Sequence, residues 1–573
     1  MPTITVMRDD LEQLLGAPCD LASLEQELES AKAEVKGHDA ATGELRIELN
    51  DTNRPDLWSP AGIARLLRLR RGTTHTLPAT YEVFTAGARD AARREAPRIV
   101  VEPALRAIRP FVAGLIVSGQ PLDDAGLRAL IQSQEKLTEN FGRRRMAVAI
   151  GAYRLETIRF PIHYRAADPA TTRFTPLEGE RDMALVEILD AHPKGREYGH
   201  LIRDAERYPL LVDDAGEVLS MPPVINSATL GQVVEGDSEL FVEVTGHDLR
   251  QLMLAINITA VDFADRGATV RPVVIEYPYD TPFGREVVSP LDFVEPLSVE
   301  RSDVERLLGT ALEPDELARL LAGMGFREIE QLAGNGGVSV RPPVYRDDLL
   351  HPVDVIEDVA IARNLNTFEP ILPRDFTVGT LSPEEELSRD VRLHMIGAGF
   401  QEAVTQVLTS HAALTERMLR PPETELLEVD NVMSANFAVL RDTQIPSLLG
   451  IEAVSSKAVY PHRIFEIGEV VQPAPEETLG CRTRVFLTAL LAHPKATLSE
   501  LQTYLEAVAF YTGREYSLEP TEHPSFMAGR VGTILAGGRA CGLIGEIHPE
   551  CLERWGVSVP VSVFELDLLD IAG

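Results

Sequence analysis

Only four of the 573 residues are cysteine, and Cys19, Cys481, Cys541 and Cys551 form no CxxC pair, which excludes a zinc knuckle and a disulfide framework. A reducing, cytoplasmic setting is the expectation. Lysine is scarce too: it supplies six of the 55 basic residues, so arginine carries nearly all the positive charge. No run approaches the ~20 apolar residues of a membrane-spanning helix. The opening MPTITVMRDDLEQLL lacks the basic lead, apolar stretch and cleavage site of a secretory signal. Missing as well are the phosphate loop GxxxxGKS/T, the zinc helix HExxH and the nucleophile elbow GxSxG. The 13 histidines are scattered and read as turn or packing residues.

What the chain has in excess is acid. Its 88 acidic and 55 basic residues leave a net charge of −33. Such a chain repels phosphate, so handling a nucleic acid requires a basic partner or a local basic surface. Hydrophobic content of 44% with 25% charged residues is that of a soluble globular protein. The length suggests about three to five domains, each able to bury a core.

The most informative stretch is YRDDLLHPVDVIEDVAIARNLNTF, Tyr345 to Phe368. Asp354, Glu357 and Asp358 stand at i, i+3 and i+4 and share one helix face, with Asp348 arriving from the lead-in. Like charges so close repel. A magnesium ion would relieve them through hard oxygen ligands. A solvated acidic first turn, complementing the helix dipole behind Pro352, explains the same pattern, and the spacing leaves both readings open.

Along the chain, residues 1–75 form a first unit. RIELN alternates as a half-buried strand, DTNRPD turns, and Ser59 with Pro60 suits the start of a helix whose apolar face is Ile63, Leu66 and Leu67. Arg54 and Asp56 read as a turn held by their own hydrogen bonds. A second unit covers 76–284 and opens with an Ala-rich stretch, 76 to about 100, that reads as a linker bearing Arg89, Arg93 and Arg94. It carries a second constellation, HPKGREYGHLI, VLSMPPVINS and FVEVTGHDLR, in which Pro222 and Pro223 force an irregular backbone before Asn226 and Ser227. Glu243 and Thr245 can equally be outward positions of a strand, alternating with Val242 and Val244. Residues 285–372 hold two short helices, SVERSDVERLLG and EPDELARLLAGMGF, followed by strands, a winged-helix-like plan with acidic faces that favours protein contact. Residues 373–573 alternate helices with long strands. The fold class is α+β and multidomain.

These segments resemble the beta subunit family of phenylalanine–tRNA ligase, of the archaeal and eukaryotic type. NRPDL followed by GIAR is similar to its N-terminal signature; the middle blocks resemble its B3/B4 editing domain; Asp348, Asp354, Glu357 and Asp358 match the acidic motif of its B5 domain. The resemblance implies that these four are magnesium ligands near the contact with an alpha subunit. It also implies that Ser227, Glu243 and Thr245 belong to a site hydrolysing tyrosine wrongly attached to tRNA(Phe). An apolar pocket cannot reject an added hydroxyl strongly, so a second sieve that uses the hydroxyl as a handle is chemically sensible. Glu243 stands where an aspartate is the commoner residue in that pattern.

The phrases at Leu440 to Leu449, FEIG at Phe465 to Gly468 and GEIHPE at Gly545 to Glu550 resemble the catalytic fold of class II ligases, an antiparallel sheet with flanking helices. The arginine–x–glutamate pair and the Gly-rich junction of a working site are absent, and Arg530 reads as a surface or interface residue. The class I signatures HIGH and KMSKS are absent too. No residue is therefore assigned to synthesis, which the resemblance puts on the alpha subunit with ATP as substrate. It implies a two-alpha, two-beta heterotetramer that binds tRNA(Phe) and uses Mg2+. A stand-alone aminoacyl-tRNA hydrolase and a non-catalytic tRNA-binding scaffold are the alternatives.

Overall fold

The computed structural model describes residues 2–72, 79–119, 121–332, 336–455, 457–568 and 570. The chain divides into two compact units, Met1–Ile371 and Leu372–Gly573. No helix among the described residues is long and apolar enough to cross a membrane.

The first unit contains two large hydrophobic cores. One joins segments far apart in sequence: Ile4, Leu24, Ile47 and Ile63 pack in the same cluster as Val299, Leu321, Val340 and Val359. The N-terminal three-stranded sheet and the three-stranded sheet of Leu297–Val299, Arg327–Gln331 and Val338–Arg341 thus share one interior. The start of helix Pro60–Arg70 follows its sequence, with the Ser59 side chain accepting from Gly62 N and Pro60 at the first position. Arg54 and Asp56 hold each other through two 2.8 Å bonds inside the buried turn. Residues 76–78 of the expected linker lie outside the described residues. Its remainder is helical, Ala86–Glu95, capped by Thr85. With Ala92 the one buried position in that helix, the apolar face is too small to register as a periodic pattern.

The second core surrounds a ten-stranded mixed sheet. Strand Glu239–Gly246 runs antiparallel between Phe111–Ser118 and Val148–Arg154. Helix Leu249–Asp265 follows it directly, its first turn capped by the Asp248 side chain, and covers one face with Leu252, Ile256 and Val261. That strand is buried on both faces, so alternation does not carry Glu243 and Thr245 outward. Strands covered on both sides lose the period-2 polarity that the outward reading assumed.

The second unit is built on a seven-stranded sheet, antiparallel apart from the parallel pairing of Gln401–Glu402 with His462–Pro473. Helices Pro383–Gly397 and Leu498–Tyr511 pack together, as do Ile445–Val454 and Pro549–Trp555. The hairpin of Phe526–Ala536 and Arg539–Ile547 turns through Gly537 and Gly538, both at positive φ, as a two-residue hairpin requires.

Candidate functional site

Glu243 lies midway along its strand, in register with Gly114 on one side and Gly151 on the other. A Cβ on Gly151 would stand 2.6 Å from Glu243 Oε1, so the bare backbone there is what leaves the carboxylate room. The Tyr153 hydroxyl donates to Oε1 at 3.0 Å. The other oxygen, Oε2, is buried and has no hydrogen-bond partner among the described residues. Burial pushes the Glu243 carboxyl up to about 7, against the Tyr153 hydrogen bond and the Arg109 charge, both of which lower it. An acceptor that is left open in a buried setting costs stability and marks a place where a donor is missing.

Glu243 lines a pocket of about 240 Å³ together with Gln134, Thr138, Arg145, Ser220 and Asn226. At ~30 Å³ per water this is the space of about eight waters, enough for one aromatic side chain. The sequence placed Ser227 and Thr245 with Glu243, but neither lines the pocket. Ser227 is buried, and its hydroxyl accepts from Leu230 N at 3.2 Å, closing the loop after Pro222 and Pro223. Thr245 accepts at its hydroxyl from Arg109 Nε at 3.0 Å and at its carbonyl from Arg109 Nη2 at 2.5 Å. The same guanidinium donates to the carbonyls of Arg145 and Met146. Ser227 and Thr245 therefore hold the walls, while Asn226 and Tyr153 stand beside the carboxylate. Tyr153 and Arg109 escaped the sequence reading because their partners lie 90 and 136 residues away. The isolated glycine in the strand-like AVAIGAY was the available signal.

The four acidic residues of the second motif are not gathered around one point. Arg346 spans two of them: Nε and Nη2 donate to Asp348 at 3.0 and 2.6 Å, and Nη1 donates to Asp358. Burial alone would raise the Asp348 carboxyl, but the Arg346 charge outweighs it and holds it below its ordinary value. Asp354 accepts from the backbone N–H groups of Leu350 and His351, both at 2.8 Å, as a capping residue of helix Pro352–Arg363. Glu357 pairs with Lys32 at 2.8 Å. Among the described residues no group of three His, Cys, Asp or Glu is placed to hold a metal ion. The donor set as arranged does not fit a shared magnesium: two carboxylates already carry a buried cation and the third satisfies a helix start. Of the two readings left open by spacing, the first-turn one describes Asp354.

In the second unit, buried polar side chains on and beside the seven-stranded sheet bond to one another. Arg441 Nη2 donates to Glu466 at 2.9 Å and Nη1 to Thr405 at 2.6 Å. Thr488 bridges Gln444 and Glu565 at 2.7 and 3.0 Å. A Cβ on Gly468 would meet Arg441 and Gln444 at 2.8 Å, so even the strand floor is closed against this network. Arg530 is a surface residue, with its side chain 59% exposed and 3.7 Å from Glu546.

Residues 369–568 match the family model described as the phenylalanyl tRNA synthetase beta chain CLM domain, and residues 297–364 match the tRNA synthetase B5 domain. These matches place the chain in the aminoacyl-tRNA synthetase class. It is 38% identical to the phenylalanine–tRNA ligase beta subunit of Treponema pallidum, covering 99% of each chain. It is 39% identical to that of Thermococcus kodakarensis, covering 99% of this chain and 98% of the other. Its fold is similar to the crystal structure of an N-terminal fragment of the phenylalanyl-tRNA synthetase beta subunit from Pyrococcus horikoshii, with a TM-score of 0.58 and 38% identity over 63% of this chain and 99% of that one. The chain belongs to the phenylalanine–tRNA ligase beta subunit family.

Proposed function

We propose that this chain works with an alpha subunit in attaching phenylalanine to tRNA(Phe) at the expense of ATP, and that its own chemistry is hydrolysis of tyrosine wrongly attached to that tRNA. The observations that carry the reading are the unpartnered Glu243 Oε2 and the amino-acid-sized cavity that Glu243 lines. A tyrosine hydroxyl donating to it satisfies a buried acceptor, whereas a phenylalanine ring leaves it unpaired, and sites of this kind discriminate by up to ~10⁴–10⁵. Tyr153 fixes the carboxylate's orientation by taking the other oxygen. Ser227 and Thr245 act as positioning residues behind the loop and the strand end.

The self-filled polar network of the second unit suits a platform rather than a catalyst, so synthesis, with its ATP, belongs to the alpha subunit in this reading. Leu393, Ile396, Phe510 and Tyr511 are exposed on the paired helices Pro383–Gly397 and Leu498–Tyr511. Large exposed apolar side chains on neighbouring helices call for a cover, and the alpha subunit is the proposed occupant, within a two-alpha, two-beta assembly. The proposed division is 1–75, 76–284 (editing), 285–372 (B5) and 373–573 (catalytic-like). At Asp348 and Asp358 the positive charge is Arg346's own, and Mg2+ acts with ATP on the alpha subunit.

Co-expression tests this. The chain should co-purify with an alpha subunit, phenylalanylation should require both, and the complex should hydrolyse Tyr-tRNA(Phe) while sparing Phe-tRNA(Phe). An alpha subunit fully active alone would remove the subunit reading, and a complex that leaves Tyr-tRNA(Phe) intact would remove the editing one.

A further inference from the structure

Arg143, Arg144 and Arg145 follow one another at φ of 50°, 53° and 65°, a complete turn in the left-handed region. For residues with a side chain this conformation costs roughly 1–2 kcal/mol each, and it occurs normally as single residues. Gly142, which could adopt it freely, precedes the turn and has an ordinary negative φ of −75°. The strain therefore falls on three arginines in succession.

The fold holds the turn from inside. Its backbone N–H groups return to the carbonyls of Asn140, Glu139 and Thr138. Arg109, fully buried, donates to the carbonyls of Arg145 and Met146 while anchored on Thr245. Arg145 points inward: its Nη1 donates to the carbonyls of Pro223 and Val224 at 3.2 and 3.0 Å, and its guanidinium lies 4.0 Å over the Tyr198 ring. It thereby clamps the loop that forms one wall of the Glu243 cavity. Arg143 and Arg144 are exposed, and neither has a side-chain hydrogen bond, ion pair or ring contact among the described residues. Strain that persists because the surroundings enforce it clusters at ligand-binding places. Two uncommitted arginines on the turn whose third arginine lines the cavity, in a chain of net charge −33, are the local basic surface that a polyanionic substrate needs.

We propose that the Arg143–Arg145 turn is a phosphate clamp: Arg143 and Arg144 hold two phosphodiesters of the single-stranded RNA end that delivers the aminoacyl group, while Arg145 fixes the cavity wall. This rests on the editing reading for the identity of the RNA, but the binding itself is measurable without hydrolysis.

The test compares the alpha–beta complex carrying wild-type chain, R143K/R144K and R143G/R144G. The probes are a short single-stranded oligoribonucleotide and Tyr-tRNA(Phe). Glycine relieves the left-handed strain, so R143G/R144G should melt above wild type, which separates lost binding from lost folding. Its oligonucleotide affinity should fall, and the slope of log K against log salt should become shallower by ~1.4, for two phosphates at ~0.7 each. KM for Tyr-tRNA(Phe) should rise by roughly an order of magnitude with kcat within about twofold, and R143K/R144K should restore most of the affinity. Unchanged affinity and salt slope in R143G/R144G overturn the clamp, even if the wild-type complex edits. A wild-type complex that binds RNA through this turn yet leaves Tyr-tRNA(Phe) intact keeps the clamp and removes the editing reading.

Discussion

Replacing Glu243 by glutamine should change the pH dependence of stability in a way that can be worked out in advance. The carboxyl titrates at 4.5 when unperturbed and at about 7 in the fold, because burial disfavours its charge. Between those values the folded chain binds more protons than the unfolded one, so this group lowers stability as pH rises from 4.5 to 7, and the cost is complete above 7. Below 4.5 both states are protonated and the group contributes no slope. A shift of this size is worth ~3 kcal/mol in all, of which ~2 kcal/mol falls between about pH 5.5 and 8.5, clear of the sequence pI of 4.8. Glutamine keeps an oxygen to accept from Tyr153 and has no charge to bury, so the variant should gain ~2 kcal/mol on wild type across that range. Trp58 lies in the first unit and Trp555 in the second, the chain's two tryptophans. In a Trp555→Phe background, urea unfolding followed by Trp58 fluorescence reads the relevant unit. Parallel stability curves for wild type and variant would refute the assignment of a buried, titrating carboxylate.

Four further outcomes follow from the contacts. Arg346→Met leaves Asp348 and Asp358 buried without their cation and should cost ~3–5 kcal/mol, part of it regained in millimolar Mg2+. Wild type should melt at the same temperature in Mg2+ and in EDTA; a fall in EDTA, abolished in D354A/E357A, would restore the four-carboxylate magnesium site. Thr245→Val removes the acceptor of Arg109 Nε and should cost ~1.5–3 kcal/mol by chemical denaturation, with Tyr-tRNA(Phe) hydrolysis falling through a displaced cavity wall. Leu393→Glu with Phe510→Glu should leave the melting temperature of the isolated chain within about 2 °C, since both side chains are exposed, yet abolish co-elution with the alpha subunit on a sizing column.

Local chemistry was readable where one short segment fixes its own backbone. Ser59 with Pro60 and the Arg54–Asp56 turn stand as their sequence suggests. The stretch around Arg89, Arg93 and Arg94 was misread as linker because a helix with one buried residue has almost no periodic signal. The acidic motif was legible as a helix face but not as an electrostatic arrangement. Its cations are Arg346, two residues before Asp348, and Lys32, 325 residues before Glu357, and spacing on one helix cannot reveal either pairing. Glu243 was singled out through the family resemblance, whereas its partner Tyr153 and the Gly151 backbone that makes room for it come from the neighbouring strand, and register is invisible in one dimension. Thr245 was named through the family resemblance, and the partner its hydroxyl accepts from, Arg109, lies 136 residues away.

The most direct test of the account is the ratio of deacylation rates for Tyr-tRNA(Phe) and Phe-tRNA(Phe), measured with the assembled complex carrying either wild-type chain or Glu243→Gln. Wild type should show a large preference for the tyrosyl ester, rising with pH through about 7 as the carboxylate ionises, and the variant should lose ~10²-fold or more of that preference. A variant that keeps the wild-type ratio would contradict the claim that Glu243 reads the tyrosine hydroxyl.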